Sequence, residues 1–106
     1  MSPKPLKSQH FQILLALSER DLHGYGIQRA VLEQTDQEVH LWPAMLYRSL
    51  GKLEEAGLIR SAEAPVDEPE DERRQYYALT RAGRQRLRDE GERLARWAEA
   101  ARSVEA

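Results

Sequence analysis

Arg48 and Lys52 stand four residues apart, with Tyr47 beside Arg48. On a helix that spacing puts two cations on one face, within reach of phosphate oxygens or base edges. The same spacing also suits a solvated face on which Glu55 pairs with them. Arg73 and Arg74 form a second basic pair, directly after the acids Asp67, Glu68, Glu70, Asp71 and Glu72. They either neutralise that run or turn to phosphate. Exposed ion pairs are worth about 0–1 kcal/mol, too little to hold either arginine back. His10, His23 and His40 are 13 and 17 residues apart, which is no metal-ligand spacing, and there is no cysteine to complete a set. Gly24-Tyr25-Gly26 is too short for a dinucleotide loop and is not expected to follow a strand. No spacing suggests a nucleophile with its base, so neither an enzyme nor a cofactor is expected.

The 106 residues are 41% hydrophobic and 32% charged, enough for one small globular core with long solvated helices. Without cysteine there is no disulfide scaffold and no thiol chemistry. No apolar run is long enough to span a membrane, and no signal-like segment is seen, so a cytoplasmic protein is expected. The net charge is −2, from 16 basic and 18 acidic groups, whereas nucleic-acid binders are usually basic overall. Any such binding must rest on a local patch.

The elements that must position these residues follow from periodicity. Phe11, Leu14 and Leu15 fall at i, i+3, i+4, with Ile13 and Leu17 widening the stripe into that of a buried helix, and Ser8 is its expected cap. Leu22-His23-Gly24 is read as a turn, with Gly24 supplying backbone freedom and His23 a hydrogen-bonded structural residue. Tyr25 to Thr35 reads as a second helix, and Gln37 to Leu41 as a linker. Trp42 is expected to cover the core. Pro43 opens a third helix, with Leu46, Leu50 and Leu53 on its inner face and Gly57 as its stop. Leu58 to Glu63 and Gln75 to Leu79 read as the two strands of a hairpin around a long polar loop. Thr80 caps a last helix, along which Leu87, Leu94 and Ala101 recur every seven residues, with Trp97 and Val104 between turns. This seam is interrupted by Glu90 and exceeds what a monomer of this size needs, so a partner helix is expected. The fold class expected is mainly α with a small β-hairpin: a winged helix-turn-helix over residues 1–79 and a long dimerisation helix over 80–106.

Four segments in this order resemble the PadR family of transcription regulators. They are Leu22-His23-Gly24-Tyr25, Leu46-Tyr47-Arg48-Ser49-Leu50, Leu53 to Ile59, and Arg73 to Gly83. The resemblance covers residues 11 to 88 and is to the shorter branch with a single final helix. It implies a repressor that binds double-stranded DNA as a two-fold dimer, with the third helix in the major groove and the wing along the backbone. Carried over by position, Tyr47 and Arg48 become recognition-helix contacts, Arg73 and Arg74 wing contacts, and Leu94, Trp97 and Ala101 interface residues. Lys52 joins the recognition face, and Tyr25 is placed for a phosphate contact. Ala44 and Met45 are the contact positions of the third helix's first turn; they stand where the family often has Gly-Thr or Ala-Thr, so Met45 lacks the threonine hydroxyl.

Two Trp97 side chains across a two-fold axis would suit a small flat aromatic effector. Release from DNA would then follow a change in the angle between the final helices. A different class of function is a protein-interaction module, which the negative charge and acidic wing tip also fit. Salt dependence separates the two.

Overall fold

The computed structural model describes residues 4–66 and 74–105. Four helices and three short strands follow one another: α1 (Ser8–Leu17), β1 (Leu22–His23), α2 (Gly24–Gln34), α3 (Pro43–Glu55), β2 (Ile59–Ala62), β3 (Tyr76–Leu79) and α4 (Arg81–Arg102). The mainly α architecture with a small sheet agrees with the expected winged helix-turn-helix. The sheet holds one strand more than expected. Leu22–His23, read as a turn, pairs antiparallel with β3 through Leu22 opposite Tyr77 and His23 opposite Tyr76, giving the order β1-β3-β2. Two residues are too few to show a period, so the strand exists only through its partner. Gly24-Tyr25-Gly26 therefore does follow a strand.

α1 lies at the centre. Ile13, Leu14, Ala16 and Leu17 are buried against Ile27 and Val31 of α2 and Leu46, Leu50 and Leu53 of α3. Ile59 and Tyr77 close the core from the sheet. α1 is capped by Lys7 rather than Ser8, without a side-chain bond. His23, expected as a hydrogen-bonded structural residue, caps α2: its Nδ1 accepts the Gly26 N–H at 3.0 Å. α3 begins at Pro43, whose missing N–H is no loss in a first turn. It ends at Glu55, and just past its Ala56 C-cap Gly57 turns the chain away with a φ of 76°, the left-handed conformation that glycine adopts without penalty.

Gly24 plays a different part from the one expected. Its φ is not positive; a Cβ there would lie 2.7 Å from the Tyr47 hydroxyl. It is small so that α3 can lay Tyr47 against the start of α2.

α4 is locked to the sheet at its first turn. Thr80 Oγ1 accepts the Gly83 N–H at 2.9 Å and donates to the Gly57 carbonyl at 2.7 Å. The Thr80 N–H reaches the Leu58 carbonyl at 3.2 Å. Leu87 is 9% exposed and packs into the chain's own core, so it does not lie on the expected dimer seam. At that point the stripe faces α1, and it turns outward only further along. Glu90 is 2% exposed, held by Arg93 at 3.2 Å and Arg86 at 3.8 Å. A buried carboxylate needs such partners. Arg86 also donates to the Lys4 carbonyl, tying the N-terminal segment to the same place. Beyond Arg93 every described residue of α4 is exposed. The molecule measures 53 × 32 × 25 Å with a radius of gyration of 15.0 Å. A compact chain of this length has about 13 Å. The projecting half of α4 accounts for the excess.

Candidate functional site

α3 buries Leu46, Ser49, Leu50 and Leu53 and turns Ala44, Met45, Tyr47, Arg48 and Lys52 outward. The face expected to carry contacts is therefore solvent-facing, and the apolar stripe at its back fixes it. Tyr47 is 56% exposed. Its hydroxyl sits over Gly24, and its ring reaches the neighbourhood of the β3 tyrosine, Tyr77. Burial, then Glu54, then Tyr47 push the Tyr77 hydroxyl above its ordinary pKa, so it stays neutral under all ordinary conditions. Ser61 of β2 donates to Glu54 Oε2 at 3.2 Å, bracing the sheet against α3.

Tyr25, Tyr47 and Arg74 are brought together. With His23, Gly24 and Gln75 they line one cleft between the start of α2, α3 and the base of the wing. Three of the expected contact residues, distant in sequence, thus share a concave surface beside the outer face of α3. Arg73 lies outside the described residues, as does the acidic run from Asp67 to Glu72.

Two groups were missed in the sequence. Arg29 stands over the Tyr25 ring at 5.9 Å, and with Arg20 and Arg74 it lines a polar cleft on the far side of Tyr25, opposed by Glu19 and Glu33. The signal was available: Tyr25 and Arg29 are an i, i+4 pair. The second group is Lys7, His10 and Lys52. Burial lowers the His10 pKa below its ordinary 6.5, and Lys7 and Lys52 lower it further. The N-terminus of α1 thus adds charge to the Lys52 end of α3. Nothing in the local sequence joins positions 7, 10 and 52; only the α1–α3 packing does.

Trp42 does not cover the core. Leu41 does that, fully buried, with its carbonyl accepting from Gln28 Nε2 at 2.7 Å. Trp42 is 61% exposed and stacks on His40, ring centroids 3.9 Å apart and planes 11° from parallel.

On the projecting half of α4, Leu94, Trp97 and Ala101 are exposed, and Val104, also exposed, lies two residues past its end. The spacing of three and four residues places Leu94, Trp97 and Ala101 on one helix face. Among the described residues no group of three His, Cys, Asp or Glu could hold a metal ion. No described helix is long and apolar enough to cross a membrane.

The sequence model of the transcriptional regulator PadR-like family matches residues 13–89. In solved structures, the chain is similar to a transcriptional regulator from Clostridium thermocellum, at 25% identity and a TM-score of 0.76, covering 94% of this chain and 99% of that one. It is also similar to Bacillus subtilis PadR in complex with operator DNA, at 26% identity and a TM-score of 0.64, over 78% of this chain and 46% of the other. An uncharacterized 37.1 kDa protein in a Streptomyces fradiae transposon is 36% identical over 84 residues, 79% of this chain. The chain spans 22% of that relative's length.

Proposed function

The chain belongs to the PadR-like family of transcriptional regulators and not to a family of enzymes, and from that premise we propose that it is a dimeric repressor of a pseudo-palindromic operator. The observation that carries this reading is the meeting of Tyr25, Tyr47 and Arg74 around one cleft beside the exposed face of α3. A helix in the major groove needs flanking groups that grip phosphates and fix its register. Here Arg48 and Lys52 read or grip from the helix, with Ala44 and Met45 on its first turn. Tyr25 and Tyr47 offer hydroxyls at the start of α2, and Arg74 a guanidinium at the wing base. Arg73 is assigned to the same backbone contact.

Residues 1–79 form the DNA-reading unit and 80–106 the dimerising helix. Leu94, Trp97, Ala101 and Val104 are the seam. A dimer would set two α3 helices about 34–36 Å apart, one turn of the duplex. A small aromatic effector between the two Trp97 rings would release DNA only if it bound one dimer geometry better than the other. A cytoplasmic location follows from the function.

The experiment is fluorescence anisotropy with the duplex upstream of the protein's own gene, beside a scrambled duplex, at two salt concentrations. Tight, salt-sensitive binding of the upstream duplex alone is expected. Arg48→Ala together with Arg74→Ala is expected to abolish it while sedimentation still shows the dimer. Normal binding by that double variant overturns the site. Binding to neither duplex at low salt overturns the DNA reading and favours a protein partner.

A further inference from the structure

The stacked pair His40–Trp42 has no part in the interface described so far, and its placement is unusual. A large indole left 61% exposed at the edge of a helix ordinarily finds cover in its own chain. Here the chain holds it out. Leu41, between the two rings, is fully buried, and Gln28 grips its carbonyl at 2.7 Å. Pro43 follows at once and fixes the backbone into α3. The Trp42 carbonyl accepts the Leu46 N–H at 2.8 Å, so Trp42 is the N-cap that the first turn of α3 is built on. His40 lies parallel to the indole at 3.9 Å and limits its rotation. The pair is thus presented on a rigid anchor, with little conformational freedom left to lose on binding.

The spacing shows where it is presented. Met45, Arg48 and Lys52 follow one another at three and four residues along one exposed row of α3, and the exposed N-cap Trp42 stands three residues before Met45 at the start of that helix. The row begins with an aromatic ring, continues with a thioether and ends in two cations. We propose that Trp42 is a further DNA-contacting residue, its indole lying against a deoxyribose ring at the rim of the major groove, and that His40 is the positioning residue that holds it there. The inference rests on the DNA-binding reading given above. Two features favour a duplex as occupant: the row continues without a break into Arg48 and Lys52, and Lys7 adds charge at its far end, close enough to act on His10 together with Lys52. A deoxyribose presents C–H groups between phosphates, which suit the face of an indole flanked by cations. Because the contact would be to sugar, it would add affinity without selecting a base sequence.

The test uses the full chain and a duplex that the wild-type protein enriches from a random-sequence pool, beside a scrambled version at low salt. Duplex is expected to quench indole emission in the wild type, and the quenching is lost in Trp42→Phe. Trp42→Ala is expected to bind both duplexes about tenfold more weakly. Its salt dependence should match the wild type, since no phosphate contact is lost. His40→Ala weakens binding when Trp42 is present and has no effect in the Trp42→Ala background. Far-UV circular dichroism checks the fold, and Trp42→Gln serves if the alanine variant does not fold. Wild-type affinity in a folded Trp42 variant overturns the proposal and leaves the DNA reading intact. A loss confined to the enriched duplex overturns the sugar contact in favour of base reading. Failure of the wild type to enrich any duplex overturns the DNA reading, and this contact with it.

Discussion

His10 shows how a single side chain acquires a pH response from its neighbours. Burial is the larger cause of its lowered pKa, and the charges of Lys7 and Lys52 act in the same direction. The imidazole therefore binds a proton less readily in the folded chain than in the unfolded one. Between the lowered value and the ordinary 6.5, the unfolded state holds more protons, so stability rises with pH across that window and is lost as pH falls. Urea midpoints are expected to be lower at about pH 5 than at about pH 7.5, with His10→Gln reducing the difference. An unchanged difference in the variant would place the acid sensitivity elsewhere. Of the single residues, those that a helical period marks were legible in advance: Arg48 and Lys52 face solvent because Leu46, Leu50 and Leu53 do not. Tyr47 was legible as a half-exposed residue, but not its seat over Gly24, which depends on how two helices approach. Lys7 and His10 were not legible as part of the site at all.

At the scale of elements, each helix was visible in the sequence because its apolar stripe repeats over several turns. β1 was not, because two residues carry no pattern and the strand is made by pairing with Tyr76 and Tyr77. The junction of α3, β2 and α4 shows how tightly neighbouring elements depend on one another. Gly83, in the first turn of α4, faces the Leu58 carbonyl so closely that an added Cβ would lie 2.0 Å from its oxygen. The obstructing atom is backbone and cannot swing away. Gly83→Ala must push α4 off the sheet and disrupt the Thr80 bonds to Gly57 and Gly83. The expected cost is about 3 kcal/mol or more. For a domain of this size that lowers the melting temperature by roughly 10 °C or more. Thermal unfolding followed by circular dichroism measures it, and a shift of a degree or two would show that the junction yields easily. A glycine in the first turn reads in sequence only as a weak helix former; that it is a contact point is a tertiary fact.

For the whole molecule the decisive feature is its length. The first half of α4 belongs to the body, through Leu87 and the Arg86–Glu90–Arg93 cluster, and the second half stands clear of it. The heptad spacing made the long stripe legible but could not show where it changes allegiance, because the inward and outward halves carry the same residue types. Leu94→Glu with Trp97→Glu is expected to turn a dimer into a monomer in sedimentation, without loss of the core. A dimer unchanged by both charges would place the interface on another surface.

The clear half of α4 also has a consequence for dosage. Its residues beyond Arg93 are exposed and draw no packing from their own chain, so they are the part of α4 most open to fraying. In the proposed dimer, association adds to their order, so helix content is expected to fall as the protein is diluted, and circular dichroism against concentration reads this directly. Ordering of the lever and pairing of the two reading heads would become one equilibrium, governed by mass action. Occupancy of a two-headed site would then rise with about the square of the number of chains. A cell could silence or release such a site by a modest change in how much of the protein it makes, with no effector at all.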